Sequence, residues 1–360
     1  MKNLHKIIAN SYFYKGKRQY LNLMNINILM KYMFFCLFLL LLFITPQAQD
    51  TIIRGNVYED QYIKWIGQYP LLDQNKKGKK FSEKFSEIVF GKKQPELIKP
   101  VSVFALNPDS LWIIDQGNGI ILEIKDKKGE VPRVFHENPG YFLSLLGVCS
   151  IADNRILFTD SHLNNIFLLS GNSKEIKVLN DSLVLQQPTG IAYSKKNDEI
   201  WVVETAAHRI SVLDSEGKPK RKIGNRGVGP GEFNFPTFIW IDNQGTIYIV
   251  DSMNFRIQIF DSRGNFQSSF GESGDASGYF ARPKGIATDS NGNIYIADGL
   301  YHTVQIFNKK GEILYNFGAQ GRDKGEFWMP TGLFIDHENY IYVADSYNSR
   351  VQIFQLVKNN

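Results

Sequence analysis

Cysteine is nearly absent: the 360 residues contain two, Cys36 and Cys149. Cys36 lies in an apolar run near the N-terminus, so the rest of the chain holds one cysteine and can form no intrachain disulfide. Cys149, in Val-Cys-Ser-Ile-Ala, sits between apolar neighbours and reads as a buried, inert thiol. Histidine is scarce, at six residues, and no Ser/His/Asp or Cys/His nucleophile arrangement is defensible from spacing. No apolar run reaches the roughly 20 residues that span a bilayer comfortably. Net charge also vanishes on inspection. Six of the 41 basic residues and none of the 36 acidic ones lie in residues 1–48, leaving 35 basic against 36 acidic residues. Without a basic excess, nucleic acid is not an expected partner, because phosphate neutralisation needs clustered Lys and Arg.

What is present at the N-terminus is a leader. Lys31 precedes twelve apolar residues, Met33 to Ile44, and Ala48 follows a short polar stretch. That charged, apolar, small-residue order is the pattern of a secretory signal. The expectation is a signal peptide or leader over residues 1–48, a mature chain starting near Gln49 or Asp50, and a periplasmic or secreted location. The alternative is a membrane anchor formed by an uncleaved leader, which would be the chain's one membrane contact.

The remainder repeats. Asn243–Phe260, Asn291–Phe307 and Glu338–Phe354 share one pattern, typified by NGNIYIADGLYHTVQIF. One acidic residue anchors each copy, at Asp115, Asp160, Glu204, Asp251, Asp298 and Asp345, spaced 45, 44, 47, 47 and 47 residues apart. A fixed period of this size means a propeller, solenoid or array. Each unit reads as four strands. The first follows a proline (Pro188, Pro236, Pro283, Pro330), the second is rich in β-branched and aromatic residues, and the third alternates strictly, as in RIQIF. The fourth ends in Ile223-Gly224, Phe270-Gly271 or Phe317-Gly318. The connection to the next unit has the spacing G-x2-G-x3-G-x-F-x2-P three times, from Gly224, Gly271 and Gly318. Its glycines let the chain return from the outer edge to the axis, and its phenylalanine is expected to plug between units. Gly227-Val-Gly229-Pro-Gly231 lacks the strand–helix context of a phosphate-binding loop.

The Pro-x-Gly-Ile-Ala, Ile-Tyr-x-x-Asp-Ser-x-Asn-x-Arg and Val-Gln-x-Phe elements together resemble the NHL repeat, over about residues 95–354. The resemblance implies a six-bladed β-propeller of four-stranded antiparallel blades, of exported bacterial type. Six anchors independently give six blades. The last blade supplies only three strands, and Gln61–Gly67, which ends in the same Ile-Gly pair, is read as the closing strand that removes an open edge. Phe81, Phe85, Ile88 and Val89 fall on one helical face within Leu72–Lys93, with Gly91 as a stop. The domain reading is therefore leader 1–48, closing strand plus short helix 49–94, and propeller 95–360.

The loop after each second strand shares one face with the blade-to-blade connections, where a ligand would meet residues of several blades. Positions four and five after the anchors vary most. They yield the candidate ligand-binding residues His208, Arg209, Phe255, Arg256, His302 and Arg350, with His208, Phe255 and His302 as the core of one patch. The competing reading is structural, with Asp and Asn bonding turn backbone and Arg pairing with a nearby acid. His208 and His302 are also the candidate zinc ligands. Relatives of this type include peptidyl-amidoglycolate lyases, which bind zinc through histidines, but a catalytic site needs three protein ligands and no third is evident. Asp289-Ser-Asn-Gly-Asn293 resembles a calcium loop without its closing acid and reads as a hairpin turn. The leading expectation is a non-enzymatic propeller, with no cofactor, that binds a protein, peptide or glycan. The alternatives are a metal-dependent lyase or hydrolase, and RNA binding.

Overall fold

The computed structural model describes residues 52–58, 61–70, 96–107, 110–125, 133–135, 140–151, 155–170, 175–181 and 183–358. The expected leader and the expected helix within Leu72–Lys93 lie outside the described residues. Six antiparallel sheets succeed one another along the chain. Blade 1 comprises Pro100–Asn107, Ser110–Asp115, Ile120–Lys125 and Arg133–Phe135. Blade 2 comprises Leu145–Ile151, Arg155–Asp160, Asn165–Leu169 and Ile176–Val178. Blade 3 comprises Pro188–Ser194, Glu199–Glu204, Arg209–Asp214 and Pro219–Ile223, and blade 4 Pro236–Ile241, Ile247–Asp251, Arg256–Phe260 and Phe266–Phe270. Blade 5 comprises Pro283–Thr288, Ile294–Asp298, Thr303–Phe307 and Ile313–Phe317. Blade 6 has three strands from the C-terminus, Pro330–Ile335, Tyr340–Asp345 and Arg350–Lys358.

Its fourth strand is Gln61–Tyr69, paired antiparallel with Arg350–Lys358 from Gln61↔Lys358 to Tyr69↔Val351. The N-terminal segment thus closes the ring as the Ile-Gly ending suggested. A further strand, Ile52–Tyr58, pairs outside it and makes this sheet five-stranded, which the repeat pattern did not foretell. The described residues contain no α-helix, only short 3-10 turns at Ser252–Asn254 and Ser346–Asn348.

The core follows the alternation. Trp201, Tyr248, Tyr295 and Tyr342 share one register of the second strands and are buried. The tyrosine hydroxyls donate to Asp242, Asp289 and Asp336 of the turn in the same blade, so each tyrosine ring is buried with its polar end satisfied. The connecting phenylalanines Phe233, Phe280 and Phe327 are fully buried, with ring centroids 5.9, 5.5 and 5.8 Å from Phe260, Phe307 and Phe354. The glutamine of the third strand explains its own recurrence. Gln258, Gln305 and Gln352 accept from Gly231, Gly278 and Gly325 N–H and donate to the carbonyls of Glu232, Tyr279 and Glu326. Each amide side chain thereby serves the connection as a strand backbone would.

Near the axis the inner strands meet through glycine. A Cβ on Gly147, Gly190, Gly285 or Gly332 would lie 2.4, 2.8, 2.4 or 2.6 Å from a backbone oxygen of the next blade. Only a residue without a side chain allows that approach. Blades 1 and 4 carry Ser102 and Phe238 at the equivalent position.

Candidate functional site

The anchor carboxylates organise the face formed by the blade connections. All six are fully buried, and each accepts backbone N–H groups from the segment entering its blade. Two kinds of junction result. Into blades 1, 2 and 5, both N–H groups before the inner strand go to the anchor: Ile98 and Lys99 to Asp115, Leu143 and Ser144 to Asp160, Ala281 and Arg282 to Asp298. Into blades 3, 4 and 6, an arginine five residues after the anchor occupies the carboxylate. Arg209 pairs with Glu204, Arg256 with Asp251 and Arg350 with Asp345. The anchor then takes only one N–H, from Gln186, Asn234 or Trp328.

The second N–H finds a substitute acceptor in the preceding blade, four residues after that blade's own anchor. Gln187 donates to Asn164 Oδ1 at 2.8 Å, Phe235 to His208 Nδ1 at 3.1 Å and Met329 to His302 Nδ1 at 3.0 Å. The three donors, and only these among the residues preceding an inner strand, have left-handed φ, at 55, 47 and 54°. Where position four is Gly119, Phe255 or Ser349, the next junction is of the first kind. Each imidazole accepting at Nδ1 carries its proton on Nε2.

The expected binding residues therefore all have intramolecular partners. His208 is buried, and its ring lies 4.4 Å from that of Phe235. His302 is half-buried in the same role one blade pair on. Phe255 packs on the core around Phe280 and Ile257. Beyond the anchors, Arg256 donates to the carbonyls of Val228, Gly229 and Glu232, and Arg350 to those of Arg322, Asp323 and Glu326. Both guanidinium groups thereby tie down the incoming connection. Among the described residues no ring contact or hydrogen bond joins His208, Phe255 and His302 to one another. No group of three or more His, Cys, Asp or Glu side chains is arranged to hold a metal among those residues either. Asp289 Oδ1 accepts from Asn291 and Asn293 N–H, and Oδ2 from Asn293 Nδ2 and the Tyr295 hydroxyl. The segment read as a calcium-like loop thus forms a hydrogen-bonded hairpin turn.

A cavity of about 450 Å³ lies on the axis and opens on the other face, among the turns that join first to second strands. All six inner strands line it, and sequence periodicity gave no sign of it because its character comes from one register of those strands. That register reads Phe104, Cys149, Ala192, Trp240, Ala287 and Phe334, of which all but the fully buried Ala287 line the cavity. The rings of Phe104 and Phe334 meet edge to face at 4.9 Å, and those of Trp240 and Phe334 at 5.6 Å. Trp240 donates to Thr288 Oγ1 at 2.9 Å, which fixes its ring. Blades 1, 4 and 6 thus build a three-ring wall, while Cys149 and Ala192 of blades 2 and 3 leave the opposite side open. Burial pushes the Cys149 thiol up to about 12, so it contributes volume rather than a thiolate. Around the mouth stand Tyr193, Asn243, Gln244, Ser290, Lys309 and His337.

The architecture defines a six-bladed β-propeller with an axial, aromatic-walled cavity. By sequence, residues 178–268 and 288–358 match the DUF5128 family, described as a 6-bladed beta-propeller. A comparison with curated proteins gives no match. Among solved structures the chain is similar to virginiamycin B lyase from Staphylococcus aureus, with 17% identity, 74% of this chain and 99% of the lyase covered, and a TM-score of 0.55. A streptogramin B lyase shows 13% identity, 84% and 100% coverage and a TM-score of 0.56. An auxiliary nutrient binding protein from Bacteroides thetaiotaomicron shows 15% identity, 72% and 70% coverage and a TM-score of 0.58. At these identities the likeness is one of fold.

Proposed function

We propose that this chain is an exported, NHL-type propeller that acts as a non-enzymatic binding module and seats a ring-bearing group of a glycan or peptide in its axial cavity. The observation that carries the reading is the half-filled ring of inner-strand side chains: Phe104, Trp240 and Phe334 on one side, Cys149 and Ala192 on the other. An aromatic wall facing small residues leaves a slot for a flat group, and the polar residues at the mouth suit its hydroxyl or amide edges. The volume of about 450 Å³ falls in the range of small-ligand pockets. Export rests on the charged, apolar, small-residue order of residues 31–48. A binding role also suits the histidines, whose Nδ1 atoms are committed to backbone N–H groups.

The test is calorimetric titration of the mature chain with a panel of oligosaccharides and aromatic peptides, alongside Trp240→Ala and Phe334→Ala. The expected result is saturable binding of one class, weakened at least tenfold by either change. Saturable binding indifferent to both changes, or no binding across the panel, overturns the reading.

A further inference from the structure

The opposite end of the axis, on the face of the blade connections, carries three cations, Lys99, Arg282 and Lys284, that form no ion pair among the described residues. Lys284 is the second residue of the inner strand of blade 5. Blades 3, 4 and 6 place Thr189, Thr237 and Thr331 there, and each hydroxyl pairs with a hydroxyl just after the anchor, that of Thr205, Ser252 or Ser346. In blade 5 the residue after the anchor is Gly299, so the hydroxyl pair is missing and an amine stands in its place. Lys284 is half-buried and, among the described residues, has neither a hydrogen bond nor an ion pair. The charges that act on it are those of Arg282 and Lys99, both positive. The exposed Arg282 guanidinium has no acidic partner among the described residues, and the Lys99 amine reaches only the Gln116 amide oxygen, at 2.9 Å. The anchor carboxylates of blades 5 and 1, the blades that carry these cations, are already in use. Asp298 accepts from Ala281, Arg282, Leu300 and Tyr301 N–H, and Asp115 from Ile98, Lys99, Gly117 and Asn118.

We propose that Lys99, Arg282 and Lys284 form an anion site that receives the carboxylate or phosphate group of a ligand at this mouth of the axis. Like charges gathered without a counterion destabilise the fold, and among the described residues no acidic side chain pairs with them. A bound oxyanion would, with the fork of Arg282 and the point charge of Lys284 as complementary donors. Burial, with Arg282 and Lys99, holds the Lys284 amine down at about 8, as expected of a cation whose counter-charge is missing. Lys99, Arg282 and Lys284 are not among the residues that line the aromatic cavity.

The experiment measures thermal shift and calorimetry of the mature chain with inorganic phosphate and, separately, with succinate, at constant ionic strength set by sodium chloride. Lys284→Met and Arg282→Ala are tested in parallel. Arg282 is exposed, so its variant keeps the test valid should Lys284→Met fold poorly. The expected result is saturable stabilisation beyond the chloride control, weakened at least tenfold in each folded variant; the stronger probe identifies the group as phosphate or carboxylate. Stabilisation no greater than chloride gives, or binding unchanged in the variants, overturns the proposal. Neither variant should alter binding at the aromatic cavity.

Discussion

Removing the imidazole of His208 is expected to unlatch the junction between blades 3 and 4. In the folded chain the Phe235 N–H has one acceptor, His208 Nδ1 at 3.1 Å, because Asp251 is occupied by Asn234, Asn254, Arg256 and Gln258. His208→Ala leaves that partly buried donor unpaired, which costs about 1–3 kcal/mol. It also removes the ring contact with Phe235 and frees a residue held at φ 47° just before Pro236, a conformation that disfavours a bulky side chain. We expect a loss of about 2 kcal/mol in urea unfolding of the mature chain. His208→Asn should lose under about 1 kcal/mol, because Asn164 already does the same work for Gln187 at 2.8 Å. The double change His208→Ala with Arg256→Thr should cost less than the sum of the single changes. It vacates a carboxylate oxygen, as in blade 5, where Thr303 stands beside Asp298 and both N–H groups reach the anchor. If the Ala and Asn variants unfold within about 0.5 kcal/mol of each other, the latch has no energetic weight and the argument fails.

Two further outcomes are accessible to the same assay. Tyr295 is fully buried with its hydroxyl on Asp289, so Tyr295→Ala should cost about 3–5 kcal/mol, and a loss under about 1 kcal/mol would contradict its place in the core. Lys284 has its amine depressed from the ordinary 10.5 to about 8, so between those values the unfolded chain binds more protons and stability rises with pH. Below pH 8 the whole penalty is present. At about 1.4 kcal/mol per unit, with a discount for partial exposure, Lys284→Met should stabilise by about 1–3 kcal/mol at pH 7 and lose most of that advantage by pH 10. A variant no more stable than the parent at pH 7, or an advantage that persists at pH 10, would show that the amine is not held in this state.

The period of 44 to 47 residues and the six acidic anchors determined the number of blades, because each repeat buries its apolar face only against a copy of itself. The short strand count of the last repeat, with the Ile-Gly ending of Gln61–Gly67, determined how the ring closes. Alternation placed Trp201, Tyr248, Tyr295 and Tyr342 in the core, and the G-x2-G-x3-G-x-F-x2-P spacing placed the plugging phenylalanines. What repeats is what the fold needs, and that much is visible in one dimension. The variable positions were another matter. His208 and His302 stood out because they break the repeat, yet their partners, Phe235 and Met329, lie 27 residues away, and their role depends on whether Arg256 or Arg350 has filled the next anchor. The aromatic wall arises from Phe104, Trp240 and Phe334, separated by up to 230 residues and brought together only by closure of the ring. The cations Lys99, Arg282 and Lys284, without an ion pair among the described residues, likewise become one feature only at the axis. Local pattern fixes elements and their order, whereas a site on a propeller axis is a sum over all blades, so only the tertiary structure decided where a ligand could be held.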